Sequence, residues 1–230
     1  MTPDTLLSLL QLADGLFPAG GFAHSFGLET YAQASFVRDR AAVEAFVAAH
    51  LEGSAGPADG VAVAGAARAG WAGDLAACAE LDARLDAAKV VRELRDASRQ
   101  MGRQVARAAT VVSPDDALLA ALAEAAAAGR TPGHHAVVFG AAAGRWGADS
   151  EAAASAFLYS TAALLVGAAL RLLPLGQLDG QRVLGAMRGR IARLARAAAE
   201  AEAGDVWSFT PGLEIAGWRH ATLEARLFRS

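Results

Sequence analysis

Five histidines, one cysteine and one lysine are the side chains of this 230-residue chain best suited to ligate a metal, attack a carbonyl or move a proton near neutral pH. A phosphate-binding loop needs Gly-Lys-Ser/Thr so that the lysine reaches the phosphates, but Lys89 lies between Ala88 and Val90. Any nucleotide hydrolysis linked to the chain therefore belongs to a partner. No strand followed by GxGxxG offers a dinucleotide site either.

Zinc-type sites want CxxC pairs or histidines four apart on one helical face, and neither pattern occurs. His134 and His135 are adjacent, so on a helix they diverge by about 100°. Cys78 sits in Ala77-Cys78-Ala79, the setting of an inert buried thiol. Gly-x-Ser-x-Gly is absent, and His24 beside Ser25 is adjacency rather than a triad. His24 with Glu29 is a generic acid–base pair. The expectation is a protein that is not an enzyme, with no metal site and no cofactor.

Acidic residues outnumber basic ones 24 to 21, giving a net charge of −3, which disfavours nucleic acid. Arg92, Arg95, Arg99 and Arg103 recur at helical spacing and read as a solvated stripe paired with Glu93 and Asp96; docking of an acidic partner is the minority reading. The stretch 152–170 carries no charge, but its many Ala, Gly, Ser and Thr residues suit a central helix in close contact with neighbours better than a membrane span. The single cysteine, and an opening Met1-Thr2-Pro3-Asp4 without the marks of a signal peptide, point to the cytoplasm.

The elements that must position these residues are helices. Hydrophobic residues make up 54% of the chain and aromatics 7%, so the apolar content is largely Ala and Leu, and no segment alternates with period two. The patterning predicts a short helix ending at Asp14-Gly15, a second over about 22–35, and a third capped by Asp39 and broken by Gly53 to Pro57. Further helices follow Asp74, Ser113-Pro114, His134 and Asp149, the last of these ending at Pro174. A final long helix spans about 180–203, with Val183, Leu184, Met187, Ile191 and Leu194 on one face. The expected fold is all-α: one compact domain of about eight to ten helices over 1–204. Residues 205–230, with Trp207, Phe209, Trp218 and Phe228, form an aromatic-rich tail that either folds back or orders on a partner.

The segment Leu9-Leu10-Gln11-Leu12-Ala13-Asp14-Gly15-Leu16-Phe17-Pro18-Ala19-Gly20-Gly21-Phe22-Ala23-His24-Ser25-Phe26-Gly27-Leu28-Glu29-Thr30-Tyr31 closely resembles the opening signature of the urease accessory protein UreF family. Further matches follow in family order: Arg92-Glu93-Leu94-Arg95 with Ser98 and Met101-Gly102, His134-His135-Ala136-Val137-Val138-Phe139-Gly140, Pro174-Leu175-Gly176-Gln177 with Gly180-Gln181, and Arg226-Leu227-Phe228-Arg229-Ser230. The resemblance implies an all-α homodimer that binds UreD (also called UreH), recruits the GTPase UreG and acts on apo-urease. Its implied role is a non-enzymatic co-chaperone scaffold for GTP-dependent nickel insertion. The alternative is a metallochaperone that hands nickel on through His24, His134, His135 and His220.

The resemblance also assigns partner contacts in the tail to His220, Arg226, Leu227 and Phe228. The family commonly has Glu after that histidine, where this chain has Ala221. In the opening signature, Pro18, Gly20 and Gly21 shape a loop and Phe22 and Phe26 are expected in the core. On a helix, His24 and Tyr31 share one stripe with Leu28, and Glu29 shares another with Ser25, as a dimer or UreG-docking surface.

Overall fold

The computed structural model describes residues Met1–Ser230 and is helical without a strand. In chain order the helices are α1 Pro3–Ala13, α2 Leu28–Gln33, α3 Arg40–His50, α4 Val61–Ala72, α5 Leu75–Ala88, α6 Arg92–Val112, α7 Ala117–Ala127, α8 His135–Arg145, α9 Ser150–Leu172, α10 Gln177–Glu200 and α11 Pro211–His220. Their starts follow local chemistry. The carboxylates of Asp39, Asp74, Asp116 and Asp149 each accept the backbone N–H three residues on, worth about 1 kcal/mol apiece. Ser113 instead closes α6, so the next helix starts at Asp116 and not at Ser113-Pro114.

The expected break at Gly53 to Pro57 does not form. The wide π-helical stretch Leu51–Gly60 carries Pro57 and joins α3 to α4 with right-handed backbone at both junctions. The wider π turn shifts the carbonyl four residues back away from the proline ring, which relieves the clash that would break an α-helix there. Counted as one rod, α3 through α4 brings the total to ten helices.

At the centre α4 crosses α8, and α9 packs along α10. The α4–α8 crossing is unusually close because small residues meet across it. A Cβ on Gly140 or Gly144 would collide with the backbone carbonyls of Val63 or Ala67, and one on Gly70 with that of Ala141. The uncharged α9 is long and apolar enough to cross a membrane by length and composition. Here half of its apolar window is buried inside the fold, against α4, α10 and their neighbours.

One core cluster of 51 buried residues runs through the domain and takes in Leu213 and Phe228 of the tail. The tail therefore folds back, and it contains the ten-residue α11, which starts at Pro211. Its own apolar spacing is too short to announce a helix. Packing on α2 and α6 supplies what periodicity lacks.

Candidate functional site

The opening signature and the end of the chain meet in one buried polar lock. The expected helix over 22–35 is interrupted: Gly21–Ala23 forms a single 3-10 turn, and Phe26 and Gly27 take left-handed backbone at φ 51° and 89° before α2 begins. Gly27 brings the chain against Ala216 of α11, where a Cβ would lie 3.3 Å from the Ala216 Cβ. His24 is thus extended rather than helical, so it shares no helical stripe with Tyr31. Its ring is buried instead, against the end of the chain.

Glu29, only 2% exposed, is the hub. Its carboxylate accepts the Leu227 N–H at 2.7 Å and the Phe228 N–H at 3.1 Å, and Oε2 lies 3.0 Å from His220 Nε2. The other ring nitrogen of His220 lies 2.9 Å from Glu93 of α6, and Glu93 also accepts from Arg226 at 3.2 Å. Each ring nitrogen of His220 thus faces one carboxylate, and the ring ties α2 to α6 through α11. Burial works to raise the Glu29 carboxyl, but the Leu227 N–H, the His220 ring and the Phe228 N–H outweigh it and hold it below its usual value.

The last residues close the lock. The Ser230 carbonyl accepts the N–H groups of Ser25 and Phe26, the Arg229 N–H reaches the Ala23 carbonyl, and the Ser230 hydroxyl lies 2.8 Å from His24 Nδ1. Thr30 donates to the Ala216 carbonyl and Gln33 to that of Ala225. The Arg171 guanidinium covers the Phe228 ring at 4.3 Å.

The residues assigned to partner contact thus divide. His24, Glu29, His220 and Phe228 are buried inside the chain, because each is consumed by the lock. Leu227 and Arg226 remain exposed, and Tyr31 is half-buried beside Phe36 and Phe46. Ala221 is exposed just beyond α11, so its missing carboxylate leaves no internal contact unfilled. Glu93, Ser25, Thr30 and Ser230 complete the lock. Their sequence signal was their position inside the quoted segments, yet nothing in the spacing says that residue 29 meets residue 220.

A second polar cluster ties α5, α6 and α8 together. Asp82, fully buried, accepts the N–H groups of Gly133 and His134 and the Thr131 hydroxyl. His134 bridges Asp86 at 2.9 Å and Ser98 at 3.0 Å, and Arg99 also holds Asp86. Burial chiefly lowers the His134 pKa, and Asp86 is held below its usual value because His134 and Arg99 outweigh the burial that would raise it. The order Asp86–His134–Ser98 is that of a proton relay. Ser98, however, lies inside α6, whose backbone N–H groups are spent within the helix, so no pair of them is free to hold an oxyanion at its hydroxyl. The cluster clamps three helices.

Burial also pushes His24, His50 and His135 down to about 4, and the Cys78 thiol up to about 12. An unfolded imidazole titrates near 6.5, so between about pH 6.5 and 4 the unfolded chain binds more protons than the folded one. Stability is expected to hold above pH 6.5 and to fall as pH drops toward 4, by on the order of 2 kcal/mol for the buried His50 and by no more than that for the half-buried His135. Glu29 adds to this lower down: its contribution is present above the unfolded carboxyl value of 4.5 and is lost as pH falls through its lowered folded value. Urea midpoints from pH 8 to 4.5 check the imidazole effect. A flat profile would exclude imidazoles held neutral by burial.

No group of three or more His, Cys, Asp and Glu side chains is arranged to hold a metal ion. Among known proteins, the family model described as UreF matches residues 37–188. The urease accessory protein UreF of Bacillus sp. (strain TB-90) is 33% identical over 98% of this chain and 99% of its own length. That of Corynebacterium glutamicum (strain R) is 34% identical over the whole of both chains, and that of Methylibium petroleiphilum is 36% identical over 98% of this chain and 94% of its own.

Proposed function

The chain belongs to the urease accessory protein UreF family, which serves urease maturation, and from that premise we propose a non-enzymatic scaffold that joins UreD (UreH) and the GTPase UreG for GTP-dependent nickel insertion into apo-urease. The observation that carries this reading is the two-sided tail. Its inner side is locked by Glu29, His220 and Phe228, and its outer side presents Ile215, Trp218, Leu227, Trp207 and Phe209, all between 45% and 73% exposed. Large apolar and aromatic side chains held on an ordered base are the usual anchors of a protein interface. Homodimerisation and a cytoplasmic location complete the proposal. Arg226, Leu227 and Tyr31 act as direct contacts, while His24, Glu29, His220 and Phe228 hold the contacting surface from beneath.

The competing route, direct transfer of nickel through the histidines, lacks a built site. His24 is engaged by Ser230 and His220 by two glutamates within the lock, and His134 by Asp86 and Ser98 in the separate cluster of α5, α6 and α8.

Co-expression with UreD and UreG followed by size-exclusion chromatography tests the scaffold, which should co-elute with both. Leu227→Glu, an exposed change expected to alter stability by no more than about 0.5 kcal/mol, should weaken the UreD complex at least tenfold. A chain that never co-elutes with UreD, or cells that activate urease normally without it, would sink the proposal.

A further inference from the structure

The opening loop lies directly on α9. A Cβ on Gly21 would crowd a Leu164 methyl at 2.6 Å, so the glycine lets the loop backbone approach the helix closely. About two turns further along α9, Arg171 donates to the Phe22 carbonyl at 2.7 Å. The Phe22 side chain, expected in the core, is instead 74% exposed. Its backbone, and not its ring, meets the helix.

The same guanidinium reaches the tail. It lies over the Phe228 ring, which is buried, and its Nε donates to the Gly167 carbonyl one turn back along α9 at 3.3 Å. One planar fork thus holds loop backbone, a tail ring and the helix that carries it. No carboxylate is among these contacts, so charge neutralisation does not account for the residue, whereas the fixed directions of its N–H groups do. The Arg229 N–H meets the Ala23 carbonyl at 2.8 Å, so loop and tail also touch through backbone beside the fork. Arg171 adds what that contact lacks: a tie from both segments to the last turn of a 23-residue helix packed in the core.

We infer that Arg171 is a positioning residue, which joins the opening loop to the tail so that the two order and open as one unit at the end of α9. The joining is a property of the free chain and is tested without a partner. Its consequence for assembly rests on the scaffold reading: a docking surface built on the tail keeps its shape only while the loop that the tail ends against is held.

Amide exchange on the full-length protein reads the two ends separately. The Ala23 and His24 N–H groups, bonded within the loop to Gly20 and Gly21, report on the loop, and those of Phe228 and Arg229 on the tail. Arg171→Met removes donors and charge from an exposed side chain, and exchange should rise roughly tenfold in both sets while amides of α8 keep their protection. Arg171→Lys keeps the charge but cannot serve carbonyl and ring together, so both sets should still exchange roughly threefold or more faster than in the parent. Phe228→Leu supplies the coupling measurement: loop amides should respond to it in the parent and much less in the Arg171→Met background, because the fork that carries the effect is gone. Loop amides that stay protected in Arg171→Met, full rescue by Arg171→Lys, or additive effects of the two substitutions would each overturn the inference. So would an equal rise in α8, the mark of a general loss of stability. UreD binding should weaken in step with exchange in Arg171→Met. If the amides respond as expected and UreD binding is unchanged, the coupling stands and the scaffold reading of the tail surface is what fails.

Discussion

Replacing Glu29 by alanine is expected to release the tail and cost about 3–5 kcal/mol, among the largest effects of any single polar substitution in the chain. The change strips an acceptor from the Leu227 and Phe228 N–H groups and leaves the His220 ring beside a void with one carboxylate in place of two. Each buried donor without a partner costs about 1–3 kcal/mol, and the three lie within one lock, so their losses couple and do not simply add. Glu29→Gln keeps the volume but turns an NH2 group toward donors, and should cost nearly as much. Urea denaturation gives the size of the effect. Amide exchange gives its place: protection should fall first at Leu227 and Phe228, while amides deep in α8 and α9 stay protected as long as the domain remains folded. The UreD complex should weaken in parallel, because an unlocked tail must be ordered at the moment of binding. If the Leu227 and Phe228 amides exchange in Glu29→Ala as they do in the parent, the lock is not what holds the tail.

How much of this was legible beforehand depends on whether the cause is local. Asp39, Asp74 and Asp149 announce helix starts because a cap and its helix are neighbours in the chain, and the structure places a cap at each. The all-helical class was likewise written in an Ala- and Leu-rich composition. The sequence places a break within Leu51–Gly60 because three glycines and a proline are breakers by local preference. The rod continues there since Gly56 and Gly60 let Leu194 and Ala198 of α10 approach, a tertiary gain that propensity does not register. The helical stripes expected through His24 and Glu29 fail in the same manner, because His24 and Ser25 precede α2. Glu29 and His24 look like surface polar groups on an ideal wheel. The left-handed pair at Phe26 and Gly27 rotates the chain, and partners 191 and 206 residues away hold Glu29 and His24 inward. Residues that carry a family resemblance need not be exposed: His24, Glu29, His220 and Phe228 all lie buried within the chain.

The glycines of the α4–α8 crossing give the second large effect, and one whose sign is set by geometry alone. In an isolated helix Gly→Ala is favourable by about 1 kcal/mol, since alanine has less backbone entropy to lose. Gly185 and Gly189 lie on the exposed side of α10 with nothing within 4 Å of an added Cβ, so alanine at both should raise stability by roughly 0.5–1 kcal/mol each. Gly140 and Gly144 lie on α8, where the added methyl would run into the Val63 and Ala67 carbonyls of α4. Those are backbone atoms of a rod fixed by the core, and they cannot swing aside as a side-chain tip does. Alanine there must push two helices apart and open a gap along the rest of the crossing, at a cost of about 1–3 kcal/mol or more at each position. The double substitution is therefore expected to unfold at a clearly lower urea midpoint than the parent, and the Gly185 and Gly189 pair at a higher one. Same-sign shifts for the two pairs would mean that helix propensity, and not the close approach of α4 and α8, decides the outcome. The uncharged run through 152–170 then takes its place in the same argument. Small residues let α4 and α8 pack nearly backbone to backbone at the centre, with α9 laid against both, which is why so little aromatic bulk suffices for a core of this size.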